Sequence, residues 1–436
     1  MQSPPVKAIF FLILALTLWS CGGKESNDIS SLLNTAHLDH LYETIHINGR
    51  AMGIVHIYSD YPDYQWLGDP DEGIACVDDA ARAAVFYLKF GEENNNSDAW
   101  EKGRSLIEFL AFMQADNGYF YNFLKEDHTI YKNYLRSLPK GDWWSYRAVW
   151  ALTEALKYRD RFIDNDAMRI ETALKKAVGN IFNGDQTPHD TLIYEGIACP
   201  DWLPYNSAAD QAALLLIALS DYYRLFKGED CRAKINDLGG GILIMQQDIH
   251  NFPFGAFRSW QNTWHAWGNS QSYGLLRAAG VTDDARFPDA ALREIDYFYT
   301  QMGVDTLITS FTLKGGDSGP YLNRIAHYPQ IAYDLRPVVL ACTEAYKFTG
   351  NERYARLAAN YAAWFFGKNT AHKIMYNPHT GRCYDGINAP DNINLNSGAE
   401  STIEALLTLQ AVIDCPPARD FLNAYIKKNL KTVQPE

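Results

Sequence analysis

The sequence predicts an all-α protein built as an (α/α)6 toroid, six helical hairpins closed into a barrel, and three observations carry that expectation. Apolar residues recur at three- and four-residue spacing along most of the chain, with no sustained alternation that would build a sheet. Small-residue-rich, weakly charged helices alternate with amphipathic, more charged ones, as a ring of buried helices inside a ring of solvent-facing ones requires. The weakly charged kind begins anew every 55–70 residues, a repeat of ~64.

In chain order, residues 1–20 read as a targeting segment: Lys7 precedes the apolar run AIFFLILALTLW. Leu18 and Ser20 just ahead of Cys21 resemble the lipobox of bacterial lipoproteins. That resemblance implies cleavage before Cys21 and acylation of its thiol, with residues 21–29 as a polar tether. Residues 30–436 are then expected to form one barrel domain held at the cell envelope by lipid. A first helix is expected from Ser30 to Ile45. Inner helices are expected to begin near Val77 (VDDAARAAVFYLKF), Asp142, Ser207, Asn262, Ala332 and Ser397. Outer helices alternate with them from Asp98, Asp166, Asp230, Phe287 and Asn351, and Pro417 to Asn429 closes the ring. An open helical solenoid is the competing architecture, but it needs polar capping repeats at its ends. No such pair is visible.

A formal charge of -13 argues against nucleic acid as a partner, because neutralising phosphates takes clustered Lys and Arg. Of the seven cysteines, the six beyond Cys21 show neither CxxC pairs nor histidines at ligand spacing, so buried thiols, no metal site and no cofactor are expected. The monomer is the favoured state.

In such a barrel all inner helices point their N-termini at one mouth, where their dipoles converge. The long aromatic- and Gly-rich loops precede those starts. Carboxylates gather there too: Asp78, Asp79, Asp142, Asp210, Asp334 and Glu400 at helix starts, Glu195, Asp201, Asp317 and Asp385 in loops. Two segments are near twins, NSAADQA (206–212) and NSGAEST (396–402), three repeats apart and so expected to face each other across the mouth. In each, Ser-x-x-acid before an apolar run is also a capping box, which would satisfy two orphan amides and nothing more.

Aromatic residues sharpen the picture. Trp66 and Trp202 fall just before inner helices, and SWQNTWHAWGNSQSY sets Trp260, Trp264 and Trp267 at helical spacing among His265, Asn269 and Gln271. Flat apolar rings beside amide donors suit a pyranose, whose faces carry C–H groups and whose rim carries hydroxyls. Tyr321, Arg324 and Tyr384, with Asp385, are further loop candidates for binding substrate.

The ~64-residue alternation resembles the six-hairpin glycosidases, and GIACVDDAARAA with NLNSGAESTIEALLTL resembles helical-barrel domains associated with glycosyltransferases. The resemblance implies a carbohydrate substrate and, most often in that superfamily, inverting hydrolysis of a glycosidic bond. Hydrolysis needs a protonated acid and a carboxylate base. A carboxylate in a helix first turn is favoured ionised, so Asp78, Asp79 or Glu400 suits the base or a substrate anchor. Asp201 beside Trp202, or Glu195 after Tyr194, suits the acid. Two other readings compete. A polysaccharide lyase or epimerase on the same barrel would draw its base from His265, Tyr273, His327 or Tyr328, with Arg324 neutralising an acid group. A surface lipoprotein that binds glycans without cleaving them is the other.

Overall fold

The computed structural model describes residues 32–183 and 189–429; the expected leader, the expected tether and Cys21 lie outside them. The chain enters through a short helix, α1 (Ala36–Leu41), and turns at once into a β-hairpin, Tyr42–Ile47 against Arg50–Val55. This corrects the helix expected up to Ile45. The reason is local: Asn48 and Gly49 both take positive φ, as a tight two-residue hairpin turn demands, and Tyr42, Thr44, Ile45 and Ile47 are the β-branched and aromatic residues that favour a strand.

Twelve helices then alternate in pairs: α2 (Val77–Glu93) with α3 (Ser97–Met113), α4 (Trp143–Leu156) with α5 (Asp164–Asn183), and α6 (Ala209–Phe226) with α7 (Glu229–Ile244). Next come α8 (Gln271–Ala279) with α9 (Arg286–Arg293), which continues through a π turn into the short α10 (Thr300–Met302). The ring ends with α11 (Ala332–Thr349) and α12 (Glu352–Ala362), then α13 (Ala399–Ile413) and α14 (Pro416–Asn429). The inner members touch in the order α2, α4, α6, α8, α11, α13, and α13 packs back on α2. That closing contact makes the ring a barrel and excludes the open solenoid.

Small residues let the inner helices approach closely; Ala80, Ala81, Ala83 and Ala84 of α2 are all fully buried. The barrel axis is polar. The ring of Tyr333 lies within cation–π reach of three guanidiniums, those of Arg82, Arg147 and Arg336, each buried. Glu404, fully buried, pairs with both Arg82 and Arg336. The six cysteines of the described residues are free and buried, as expected.

The fourth inner helix begins nine residues after its expected start, at Gln271 rather than Asn262. Thr263–His265 is instead the edge of a three-stranded antiparallel sheet with Ser310–Lys314 and Tyr321–Ala326. Trp264 is fully buried there, stacked on Phe311 at 5.1 Å and 6°. Strand pairing with a partner nearly fifty residues away overrode a pattern that reads as helical in isolation. Further hairpins line the mouth, among them Tyr58–Asp60 with Gln65–Leu67, Thr191–Tyr194 with Ile197–Pro200, and Gly386–Ala389 with Asn392–Asn394.

Candidate active site

A cavity of about 520 Å³ opens at the mouth where α2, α11 and α13 begin. Its walls are the first turns of those helices, Tyr58 from the hairpin Tyr58–Leu67, Glu72 from the loop after it, and the segment from Asp385 to Asn394. Three helix N-termini thus point their partial positive charge into it.

Arg82 organises the floor. Its side chain is 2 % exposed, and its guanidinium meets Asp79 at 2.5 Å, Glu404 at 2.8 Å, Glu400 at 3.1 Å and Asp78 at 3.6 Å. The α-helical period explains the geometry: Asp78, Asp79 and Arg82 share one face of α2, while Glu400 and Glu404 stand one turn apart on α13. Two of the four carboxylates are structural. Asp79 and Glu404 are buried, and removing a partner from such a cluster leaves a charge unpaired at a cost of ~3–5 kcal/mol. The other two face the cavity: the Glu400 side chain is 46 % exposed and that of Asp78 is 20 % exposed.

Asp78 is also held from the other side by Arg147 of α4, which in turn donates to the Tyr333 hydroxyl. All of this grips one carboxylate oxygen, Oδ2. Its Oδ1 is buried with no hydrogen-bond partner among the described residues. Such an orphaned acceptor is uncommon and is satisfied by a bound water or hydroxyl.

Asp385 supplies a different kind of carboxyl. Its Oδ1 accepts the Gly398 amide at 2.9 Å and the Ser401 hydroxyl at 2.6 Å, so it clamps the start of α13. Burial pushes its pKa up, helped by nearby Glu400 and opposed by those two hydrogen bonds. Asp79 is likewise raised by burial, to about 6, against the pull of Arg82. Burial works the same way on Glu404, but Arg336 and Arg82 together outweigh it and hold that group below the usual range. Asp334 stays out of the cavity: burial raises it well above an ordinary carboxyl, and it caps α11 by accepting the Ile331 amide at 2.9 Å.

No family model and no characterised protein sequence matches the chain. Solved structures do resemble it. The cellobiose 2-epimerase of Bacillus thermoamylovorans superposes with a TM-score of 0.61 at 13% identity, covering 88% of this chain and 98% of that one. A D-mannose isomerase gives 0.59 at 13%, covering 89% and 96%. A family 76 glycoside hydrolase from a bovine Bacteroides thetaiotaomicron strain gives 0.56 at 14%, covering 88% and 78%. The chain has the (α/α)6 fold of these enzymes.

Within this barrel, the residues singled out in the sequence separate into three places. Asp78, Asp79, Asp385 and Glu400 converge on the cavity. A second group meets at the starts of α4 and α6. Asp210 is buried and bonds His265 Nε2 at 3.0 Å, and His265 Nδ1 meets the Trp267 carbonyl at 2.7 Å with its ring stacked on Trp267 at 3.7 Å. Trp260 and Trp267 are half-exposed beside them. Neither Asp210 nor Glu400 closes a capping box; α6 and α13 start without a side-chain cap, and each acid gives one oxygen to a tertiary partner, while the other oxygen of Asp210 accepts the Gln211 amide at 2.6 Å.

The third group stands away from the cavity. Glu195 is exposed at a hairpin tip and 3.9 Å from Lys314; Asp201 accepts the Asp190 amide at the base of that hairpin. Trp202 stacks on His189 and donates to the Asp237 carbonyl of α7, and Trp66 stacks on His56. Asn269 and Gln271 are buried and donate to Tyr299 and the Arg258 carbonyl. Asp317, Tyr321 and Arg324 lie exposed on the hairpin after the fourth repeat, Tyr384 packs against the core, and Tyr273 lines a separate small cavity with Arg277.

The residues that sequence reading passed over are Arg82, Arg147, Tyr333, Arg336 and Glu404. A signal existed: arginines and a glutamate inside otherwise apolar helices are almost never buried unless paired.

Proposed function

We propose that the protein is a glycoside hydrolase acting on neutral oligosaccharides at the cavity between α2, α11 and α13. The observation that carries this reading is the Arg82 cluster, which fixes two cavity-facing carboxylates, Asp78 and Glu400, beside a third carboxyl, Asp385, whose burial favours its protonated form. Asp385 is the acid that protonates the leaving oxygen. Asp78, whose Oδ2 is held by Arg82 and Arg147, is the base that activates the attacking water. Glu400 accepts a sugar hydroxyl. Inverting hydrolysis needs its acid and base on separate residues roughly 6.5–9.5 Å apart, with a water between them. The lining carries five acids, Glu72, Asp78, Asp79, Asp385 and Glu400, against Arg82, and this excess repels uronates and so disfavours the lyase reading.

Epimerisation is the rival on the same scaffold. It needs a base free to take a proton from carbon. His265 does not offer one, since both ring nitrogens already face protein acceptors, and among the described residues no histidine lines the cavity. The anchoring part of the proposal is that Cys21 carries lipid and holds the barrel at the cell envelope; Cys21→Ser should abolish labelling by a radioactive fatty acid.

The deciding experiment is a panel of di- to hexasaccharides of glucose, mannose, galactose, xylose and arabinose, in α and β linkages, with products read by mass. Summed products heavier by one water support hydrolysis. An isomer of unchanged mass means epimerisation, cleavage without added water means elimination, and tight binding with no product means a capture protein.

A further inference from the structure

Beside the cavity lies a surface that the proposed chemistry leaves unused. Tyr205, Trp260 and Trp267 are 46%, 43% and 41% exposed, large apolar rings gathered at the mouth of the barrel. Two are held by their polar ends and the third by its backbone carbonyl and one ring face. The Tyr205 hydroxyl donates to Asp142 at 2.6 Å, the Trp260 indole donates to the Tyr205 carbonyl at 3.2 Å, and Trp267 is clamped by His265, which Asp210 holds from below. Tyr205 also sits in the left-handed region at φ 49, ψ 37, a conformation that bulky residues adopt only when their surroundings enforce it.

This surface is continuous with the cavity. Trp267 packs on Trp143 at 5.7 Å, and the next residue, Gly268, has φ +70 and no room for a side chain: a Cβ there would meet the Trp143 ring at 2.9 Å and the Tyr333 hydroxyl at 3.0 Å. Tyr333 is a wall of the cavity. Lys140 stands 3.1 Å from Asp142 and over the Tyr205 ring at 5.4 Å, so the rings are rimmed by a donor and an acceptor.

We infer that Trp267, Trp260 and Tyr205 form a second sugar site that stacks the units of the substrate beyond the cleaved bond, so the substrate is an oligosaccharide of at least three units. Tyr205 and Trp260 have their polar atoms committed to the protein, and all three rings leave apolar surface exposed. A ligand with alternating C–H faces and hydroxyl edges fits faces rimmed by Lys140 and Asp142; an unbroken apolar ligand would leave that rim desolvated.

This inference rests on the hydrolase reading, and one experiment separates their failures. The linkage hydrolysed in the panel is presented as its disaccharide and its tetrasaccharide. The wild type is expected to show a higher kcat/KM on the tetrasaccharide. Trp267→Ala with Trp260→Ala is expected to lower the tetrasaccharide value at least ~5-fold more than the disaccharide value, the scale of a lost aromatic contact, and Trp267→Phe to restore most of it. Circular dichroism on the variants confirms that the barrel is intact. Equal wild-type values for the two lengths, or equal losses in the double variant, overturn the second site and leave the hydrolase standing. A wild type that hydrolyses no member of the panel overturns the hydrolase and the second site together.

Discussion

Asn206–Ala212 and Asn396–Thr402 carry nearly the same letters at the same point of the repeat, and the fold uses them differently. In the first, Asp210 is buried under Trp267 and engages a histidine, which in turn positions an aromatic surface. In the second, Glu400 is half-exposed in the cavity on Arg82, and Asp385 grips the same turn from the side through Gly398 and Ser401. One twin supports an aromatic surface and the other faces the cavity. The difference comes from the partner each acid meets: an imidazole on a loop for one, a guanidinium already shared by three other acids for the other.

That contrast can be broken or sharpened by mutation. The largest effect is expected at the second twin: Asp385→Asn should lower kcat ~10²–10⁴-fold, the usual worth of a general acid. In the wild type, kcat/KM should fall as pH rises through the Asp385 pKa, which lies above its ordinary value of 3.8, because the acid must be protonated to act. A pH profile whose alkaline limb survives in the Asn variant would sink the assignment.

Next is Glu404→Ala, which strands Arg82 and Arg336 in the core and should cost ~3–5 kcal/mol in denaturant unfolding. The sign of its pH dependence follows from its depressed pKa. The stabilisation by Glu404 is complete above its unfolded value of about 4.5 and is lost as pH falls through the lower folded value.

The twins themselves are compared by Glu400→Gln and Asp210→Asn. Glu400→Gln should cost ~1.5–3 kcal/mol in kcat/KM, a charged hydrogen bond to substrate, while leaving folding stability within ~1 kcal/mol. Asp210→Asn should instead lose ~1–3 kcal/mol of stability, with the smaller change in turnover. Identical profiles for the two variants would show that the segments share one role. Smallest of all, Asp317→Asn and Glu195→Gln, on exposed hairpins, should stay within about 0.5 kcal/mol in stability and leave turnover as it was.

Much of this was legible in advance. The repeat located five of the six inner helices to within a couple of residues, and it placed Asp78, Asp79 and Glu400 at one mouth. The Asn48-Gly49 turn signal was in the letters too, but the helix expected up to Ile45 passed over it. The segment from Ser259 to Gln271 was not legible. Its tryptophan spacing matches a helix, and only pairing with Ser310–Lys314 makes part of it a strand and buries Trp264 while leaving Trp267 at the surface.

The sequence by itself determined the period, the alternation of buried and solvent-facing helices, and the concentration of acids at helix starts, because these follow from side-chain spacing along a local 3.6-residue turn. Which partner each acid meets was left to the tertiary structure. Arg82 and Glu400 are separated by 318 residues, and they meet because the sixth hairpin closes against the first. Ring closure is a property of the whole chain, and with it come the burial that raises Asp385, the guanidinium that Asp78 and Glu400 share, and the imidazole that Asp210 finds instead.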